Sequence, residues 1–422
     1  MRREIGNKGN GTIDCPTDLL FFIAISPTKI GGIELFARHL GMAMALRKKT
    51  VTFCFSSPAS EEVLSLLDLP NIRVAYLHDH SSFTLNSAAS LWRILRRCRP
   101  QTVVYSFGGI LRPLPWLCLV AGVKTIVYND HASRTPEDLV VSSLKCTVAQ
   151  VITYPVQQVI AVSDFVAASS RSERLHRAPC CSIPNGVDVA RGEQSSSKAE
   201  FLSRYGIPSD RKIVTQVSWL IESKGVDVFL RAAGLVLRNR ADVHFVVGGE
   251  GASRSKYEQL VQELGINRHV TFTGMISNPI SAGIYAASDI FCLASRWMEA
   301  CGLVLLEAMS HGVPVVATRT GGIPEYVRDN TDGLLVSGTP IDVADALNAL
   351  LANDALRLAM GNAAKARVEK DFDVRLMAER YADLLAGPLV QVEKGIDASF
   401  AENPEILWMS NAAQKEKAPC KK

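Results

Sequence analysis

The sequence predicts an α/β protein built as two doubly wound halves, each with a parallel sheet flanked by helices. Three observations carry this. A chain of 422 residues, 47% of them hydrophobic, is too long for one ordinary core. Apolar runs, loops and amphipathic stretches alternate from residue 19 to residue 162. After a polar stretch, the same alternation restarts at residue 213.

The first half opens with an apolar strand at 19–25, a loop at 26–32 and an amphipathic helix from 33 to about 47, followed by a strand at 51–55. Further strands are expected at 72–77, 103–106, 125–128 and 159–162, with helices between most of them. The Pro184-Asn185-Gly186 turn and the polar residues 191–199 close this half, so the domain boundary is expected at residue 195. The second half has a strand at 213–217, a helix at 225–238 and a strand at 244–247. Strand and helix signals continue through 270–273, 280–287, 290–293 and 315–317. Amphipathic helices at 340–352, 354–369 and 374–385 end the ordered part, and residues beyond about 387 read as a tail in which Ile406-Leu407-Trp408-Met409 could dock.

Charge divides unevenly. The net charge is +4, but residues 1–195 carry 21 basic and 15 acidic side chains, against 25 and 27 in the remainder. Lys48, Lys49, Arg93, Arg96, Arg97 and Arg99 concentrate the excess, and Trp92, Ile94 and Leu95 stand among those arginines. The pattern suits an interfacial helix on anionic lipid, and equally a solvated helix edge. Aromatic content of 7% and the lack of a recognised module argue against nucleic acid. No apolar run reaches the 18 or more residues of a spanning helix. The run at 19–25 is too short for a secretory signal. Ten cysteines without a Cys-x-x-Cys pair, and eight histidines without a shared cluster, read as reduced thiols of a cytoplasmic protein with no zinc site. Asp371-Phe372-Asp373 has Asp-x-Asp spacing but stands where the last helix begins, a capping position. No metal is expected.

The chemistry concentrates in residues 295–322, SRWMEACGLVLLEAMSHGVPVVATRTGG. Glu299 and Glu307 are eight positions apart, about 12 Å along a helix, roughly the reach from a ribose across a diphosphate to an attached sugar. An ordinary solvated helix can carry the same spacing. Gly302 lets a backbone approach closely, and the N–H groups of Gly302, Leu303 and Val304 are left for an anion at the helix start. Glu307, a turn inside the helix, can accept hydrogen bonds from ribose hydroxyls, while Glu299 stays near the sugar. Lys224, followed by Gly225 at a strand-to-helix loop, is the natural cation for the diphosphate.

With the strand Gly312-Val313-Pro314-Val315-Val316-Ala317 and the loop Gly321-Gly322-Ile323-Pro324-Glu325, this segment resembles the retaining glycosyltransferases of family 4. Their E-x7-E signature, EAM helix, GxPVVAT strand and GGxPE loop all stand here. The resemblance spans roughly residues 19–386 and is stronger in the second half. It implies the GT-B fold, two Rossmann-like domains facing across a cleft. The domains would be an acceptor domain at 1–195, a donor domain at 196–370, a helix at 371–386 crossing back to the first domain, and a tail at 387–422.

The same matching assigns Gly31-Gly32 to the glycine loop closing over phosphates and acceptor, and His131 to the histidine facing the donor sugar. It assigns Gly249 of Gly248-Gly249-Glu250-Gly251 to the turn beneath the nucleotide, and Gly274 and Met275 to the segment meeting the base. Asn185-Gly186-Val187-Asp188 matches an interdomain turn, read as structural and capping the first half. Two departures stand out. Ser106-Phe107-Gly108-Gly109 lacks a histidine that the family often has, and Ser218-Trp219 replace a glycine and an arginine that shares the diphosphate with the lysine. Lys224 then works with the helix terminus alone, or Arg296 or Arg254 takes up the charge.

The implied activity is a cytoplasmic, metal-independent, retaining hexosyltransferase. It would move a sugar from a nucleoside diphosphate donor to a hydroxyl on a lipid-linked saccharide or growing surface polysaccharide, with an anionic membrane as a possible peripheral partner. No first-half residue stands out as a carboxylate nucleophile, so Glu299 is read as positioning the sugar, with the departing diphosphate helping to take the acceptor's proton. A sugar-nucleotide epimerase, a phosphorylase or a non-catalytic sugar-nucleotide binder are the other readings.

Overall fold

A computed structural model describes residues 16–77, 85–107, 110–134, 141–189 and 196–387. Gly108, Gly109, most of the polar stretch before residue 196 and the tail from 388, including Ile406–Met409, lie outside them. The chain divides into two compact units, one running to Ile183 and resuming at Ala378, the other comprising Pro184–Met377.

In the first unit the elements follow in the order β1 (Leu19–Ile23), α1 (Gly32–Leu46), β2 (Val51–Phe55), α2 (Glu61–Leu66), β3 (Ile72–Tyr76), α3 (Leu85–Cys98), β4 (Thr102–Ser106), α4 (Leu114–Val120), β5 (Thr125–Asp130), α5 (Ser143–Ile152), β6 (Gln158–Ala161), α6 (Asp164–Ser172) and β7 (Cys180–Ser182). The strands form one parallel sheet in the order β3-β2-β1-β4-β5-β6-β7, with Leu19 in register with both Val51 and Thr102. β1, β2 and β4 are buried throughout, which is why they read as unbroken apolar runs and not as alternating ones. The order reverses between β1 and β4, and the loops that leave the carboxyl ends of these strands gather there.

The second unit runs α7 (Lys198–Tyr205), β8 (Lys212–Val217), α8 (Val226–Leu237), β9 (Val243–Gly248), α9 (Arg254–Glu263), β10 (Val270–Gly274), α10 (Ile284–Ala287), β11 (Ile290–Leu293), α11 (Leu303–Ser310), β12 (Val315–Thr318), α12 (Ile323–Tyr326), β13 (Gly333–Val336), α13 (Pro340–Ala352), α14 (Asp354–Asp371) and the start of α15 (Val374–Ala386). Its parallel sheet has the order β10-β9-β8-β11-β12-β13, with the switch between β8 and β11. One core cluster joins Phe201, Tyr285, Leu305, Met309 and Tyr326; another joins Phe229, Val236, Leu347 and Leu351. These two clusters cover the sheet with helices and hold its loops in place.

By contacts the first break falls at 183/184, because the Asn185-Gly186-Val187-Asp188 turn is tied to the second unit. Val187 N–H donates to Phe372 O at 2.9 Å and Val374 N–H donates to Val187 O at 2.9 Å. The turn therefore does not cap the first half. The second break by contacts falls inside α15, between Met377 and Ala378. From Ala378 onward α15 belongs to the first unit, where Tyr381 meets the Phe36 ring edge-on at 4.9 Å and donates to Asn129 Oδ1 at 2.9 Å. The apolar segment 280–287 is helical only from Ile284, because Gly283 has φ +80° and a Cβ there would come within 2.3 Å of Ser196 O. Finally, α3 keeps its apolar side for the core: Leu91 and Leu95 are buried. Its outer side is the arginines, with Arg96 standing 5.9 Å over the Trp92 ring. Asp373 does cap α15, accepting from Arg375 N–H at 2.9 Å.

Candidate functional site

The loops after β8 and β11 meet at the switch point of the second sheet, and glycines make the meeting possible. Gly225 has φ +62°, and a Cβ there would lie 1.8 Å from Ala294 O, so only glycine lets the β8 loop lie against the β11 loop. Ser223 O accepts from Arg296 N–H at 2.8 Å and Trp297 N–H at 3.1 Å, fastening the two loops together. As a result Lys224 Nζ stands 2.7 Å from Glu299 Oε1, although 75 residues separate them in the chain.

Glu299 is held from three sides. Ser295 Oγ donates to the same Oε1 at 2.7 Å, and Thr318 Oγ1 fixes Ser295 in turn by donating to its carbonyl at 2.6 Å. Gly322 N–H donates to Glu299 O at 2.7 Å. Gly321 has φ +56° and passes so close that a Cβ would be 2.4 Å from Glu299 O. Of the two glycines in this loop only Gly321 uses the left-handed region; Gly322 is right-handed at φ −80°. A buried carboxylate with two side-chain donors is preorganised: it can lose one partner to a ligand and keep the other.

Helix α11 begins at Gly302, which has φ +74°. The Cys301 sulfur lies beside the first-turn N–H groups of Gly302 and Leu303 and accepts from Asn185 Nδ2 at 3.2 Å. Burial holds the Cys301 thiol up at about 11, so it stays neutral. Sulfur is a weak acceptor, and a phosphate oxygen would displace it readily. Val304 follows in the same turn, half-buried. One turn further on, Glu307 Oε2 accepts from Tyr285 Oη at 2.5 Å. Tyr285 is fully buried, and burial together with Glu307 pushes its pKa well above the usual phenol value, so it remains the donor. Glu307 is thus fixed as an acceptor one turn inside α11.

Around this pair, Gly249 at φ +131° would place a Cβ 1.9 Å from Ser218 O, and its N–H donates to Gly274 O at 3.0 Å. Gly274 has φ +74°, and Met275 beside it is exposed. These glycines bring the loops after β8, β9 and β10 together as a backbone surface. Trp219 is 61% exposed and packs no core. The two alternative cations are engaged: both guanidinium nitrogens of Arg296 bind Asp227, each at 2.6 Å, and Arg254 binds Glu250 and Glu258. Lys224 is left as the cation nearest Glu299.

The remaining assigned residues stand in the first unit. Gly31 caps α1 with extended backbone, and its N–H donates to Glu34 Oε2 at 3.0 Å, so this terminus already holds a carboxylate; Gly32 is the first helical residue. His131 follows β5 and stacks on Phe107 with centroids 4.1 Å apart. Burial lowers its pKa to about 4 against the opposing pull of Asp130, and its Nε2 is buried without a hydrogen-bond partner. It is a neutral imidazole with one unused nitrogen. Sequence reasoning missed Ser295 and Tyr285, which hold the two glutamates, and Cys301, which accepts from Asn185 beside the start of α11. Among the described residues no group of three or more histidine, cysteine or carboxylate side chains is placed to hold a metal ion.

Residues 197–367 match the family model described as Glycosyl transferases group 1, and residues 30–191 match that described as Glycosyltransferase Family 4. The D-inositol 3-phosphate glycosyltransferase of Corynebacterium jeikeium is 35% identical over 318 residues, 67% of this chain and 73% of that protein. The GDP-mannose-dependent alpha-(1-6)-phosphatidylinositol monomannoside mannosyltransferase of Mycolicibacterium smegmatis is 30% identical over 308 residues, 71% of this chain and 80% of that protein. Anabaena HepE, solved with UDP and glucose, shares the fold with a TM-score of 0.71 at 21% identity, over 88% of this chain and 100% of its own. A Rickettsia africae glycosyltransferase does so with a TM-score of 0.73 at 18% identity, over 90% and 100%.

Proposed function

Since this chain belongs to glycosyltransferase family 4 and is a nucleotide-sugar-dependent glycosyltransferase of the GT-B fold, we propose that it transfers a hexose, with retention at the anomeric carbon and without a metal, to a hydroxyl of a lipid-linked saccharide. The observation that carries this is the Lys224–Glu299 contact at the switch point, one helical terminus away from the Tyr285–Glu307 pair.

In this reading the donor diphosphate lies along the start of α11, where the N–H groups near Gly302, Leu303 and Val304 and the Lys224 ammonium meet its charge. A diphosphate reaching Lys224 competes with Glu299 for the ammonium. Glu299 keeps the Ser295 hydroxyl as donor and turns its other oxygen to a sugar hydroxyl. Glu307 accepts from the ribose. Gly249, Gly274 and Met275 form the wall for the base, which explains why backbone more than side-chain identity governs nucleotide choice. In the first unit, Gly31 and Gly32 open α1, and neutral His131 keeps one ring nitrogen unused. The departing diphosphate takes the acceptor's proton, so the chain itself supplies positioning and charge.

The acceptor class is supported by relatives named for phosphatidylinositol monomannoside. It is also supported by the excess of basic residues in the first 195. One observation favours a second reading. Trp219 adds no charge, and Arg254 and Arg296 are both engaged, so a protein that binds donor without turning it over has a structural basis. Acceptor-dependent release of nucleotide decides between them: turnover of a nucleoside diphosphate sugar only when a lipid-linked saccharide is present supports transfer. Thermal stabilisation by the donor with no release supports binding alone.

A further inference from the structure

The first unit carries an apolar surface that α3, the basic helix, does not provide. On α5, Leu144, Val148 and Val151 stand at helical spacing on one stripe, and Leu144 and Val151 are 76% and 60% exposed. On α4, Trp116, Leu119 and Val120 do the same, with Val120 71% exposed. The stripes are one surface, since Trp116 Nε1 donates to Val151 O at 3.0 Å and its ring stacks on that of Tyr154, 75% exposed, at 6.1 Å. So many large apolar side chains side by side on an exposed face mark a contact surface.

α4 and α5 themselves carry no acidic side chain. Across the described residues 110–134 and 141–163 the acidic side chain is Asp130, buried and ion-paired with Arg134, while Glu137 and Asp138 stand in the sequence between the two stretches. Lys124, Lys145 and Arg177 are exposed at the margin of this face, the first and last lining a cavity of about 600 Å³ with Tyr154. α3, with its outward arginines, packs against α4.

We propose that the α4–α5 face docks on an anionic bilayer surface, with Trp116 and Tyr154 at the headgroup level and the basic margin on the lipid phosphates. Aromatic and aliphatic groups rimmed by cations fit that environment. A second copy fits poorly, because a two-fold contact through this face would bring two basic margins together. The assignment is independent of the donor site, since it involves none of Lys224, Glu299 and Glu307.

The test is co-sedimentation of the full chain with phosphatidylcholine vesicles, with and without phosphatidylglycerol, beside a thermal unfolding scan with and without donor nucleotides. The chain should bind the anionic vesicles. Leu144→Glu with Val148→Glu should lower binding at least about ten-fold, with the unfolding midpoint unchanged because both side chains are in solvent. Lys124→Glu with Lys145→Glu should lower binding to the anionic vesicles alone. Quenching of tryptophan emission by brominated lipid should be lost in Trp116→Phe, which still binds. Vesicle binding indifferent to the glutamate substitutions, or absent in the wild type, would overturn the proposal. So would dimers seen by light scattering that those substitutions dissociate. Failure of nucleotides to stabilise a chain that still binds vesicles would count against the donor-site reading alone.

Discussion

Lys224 and Glu299 hold each other at 2.7 Å, so each side chain meets a ligand with its partner already in place. Removing the charge of Glu299 while keeping its shape tests what that arrangement does. Glu299→Gln is expected to lower kcat on the order of 10²-fold while changing nucleotide affinity little, read from steady-state kinetics and nucleotide titration. Equal losses in affinity and turnover would make it a simple binding residue. Glu307→Ala is expected to weaken nucleotide binding by about 1–3 kcal/mol, measured by calorimetry. The same titration with a 2′,3′-dideoxy nucleotide should show no such loss, since the ribose hydroxyls are then absent. Trp219 is exposed, so Trp219→Arg should leave stability within about 0.5 kcal/mol of wild type and preserve or raise turnover. A large fall in stability would mean that the ring is packed.

The loops rest on glycines that no other residue can replace, and this is the scale at which the sequence was most legible. A Cβ at Gly225 would strike Ala294 O, so Gly225→Ala is expected to cost about 1–3 kcal/mol in denaturant unfolding and to lower turnover by moving Lys224. Gly206→Ala is the control: it also has positive φ, but its Cβ would meet nothing within 4 Å. It should pay the conformational strain and keep activity per folded molecule. Glycines, the paired glutamates and the strand after Gly312 are local signals, readable because a turn or helix terminus imposes residue type directly. Tyr285 and Ser295 were not readable. They reach Glu307 and Glu299 only because α10 and β11 lie beside α11 and β12 in the folded unit, and an ordinary buried tyrosine or serine looks the same in sequence. The place of this turn was hidden for a related reason: Asn185 to Asp188 look like a linker, and only the bridge from Val187 to Asp373 shows where they belong. The charge pattern of α3 left two readings open because alternating Arg and apolar residues describe both an interfacial helix and a core helix with a basic outer side.

At the scale of the whole molecule, buried histidines couple stability to pH: burial lowers the pKa of His131 and His176 in the first unit and of His244 and His311 in the second. Burial lowers His131 and His244 from 6.5 to about 4. Between those values the folded state binds fewer protons than the unfolded chain, so stability rises with pH. The contribution is fully present above about 6.5 and is lost as pH falls toward 4, on the order of 1–3 kcal/mol for each residue. Denaturant unfolding at pH 7 and pH 5 should show this loss, and His244→Asn should lessen it for the second unit; an unchanged slope would mean that His244 takes up its proton without penalty. The central claim is that this chain moves a sugar with the carboxylates and Lys224 at the second unit's switch point. The most direct measurement is nucleotide release by the purified protein in EDTA, from UDP-, GDP- and ADP-sugars, with and without a lipid-linked saccharide acceptor. Release from one donor that requires acceptor, persists in EDTA and falls in Glu299→Gln is the predicted result. Release that ignores the acceptor, vanishes in EDTA or is unaffected by Glu299→Gln would contradict it.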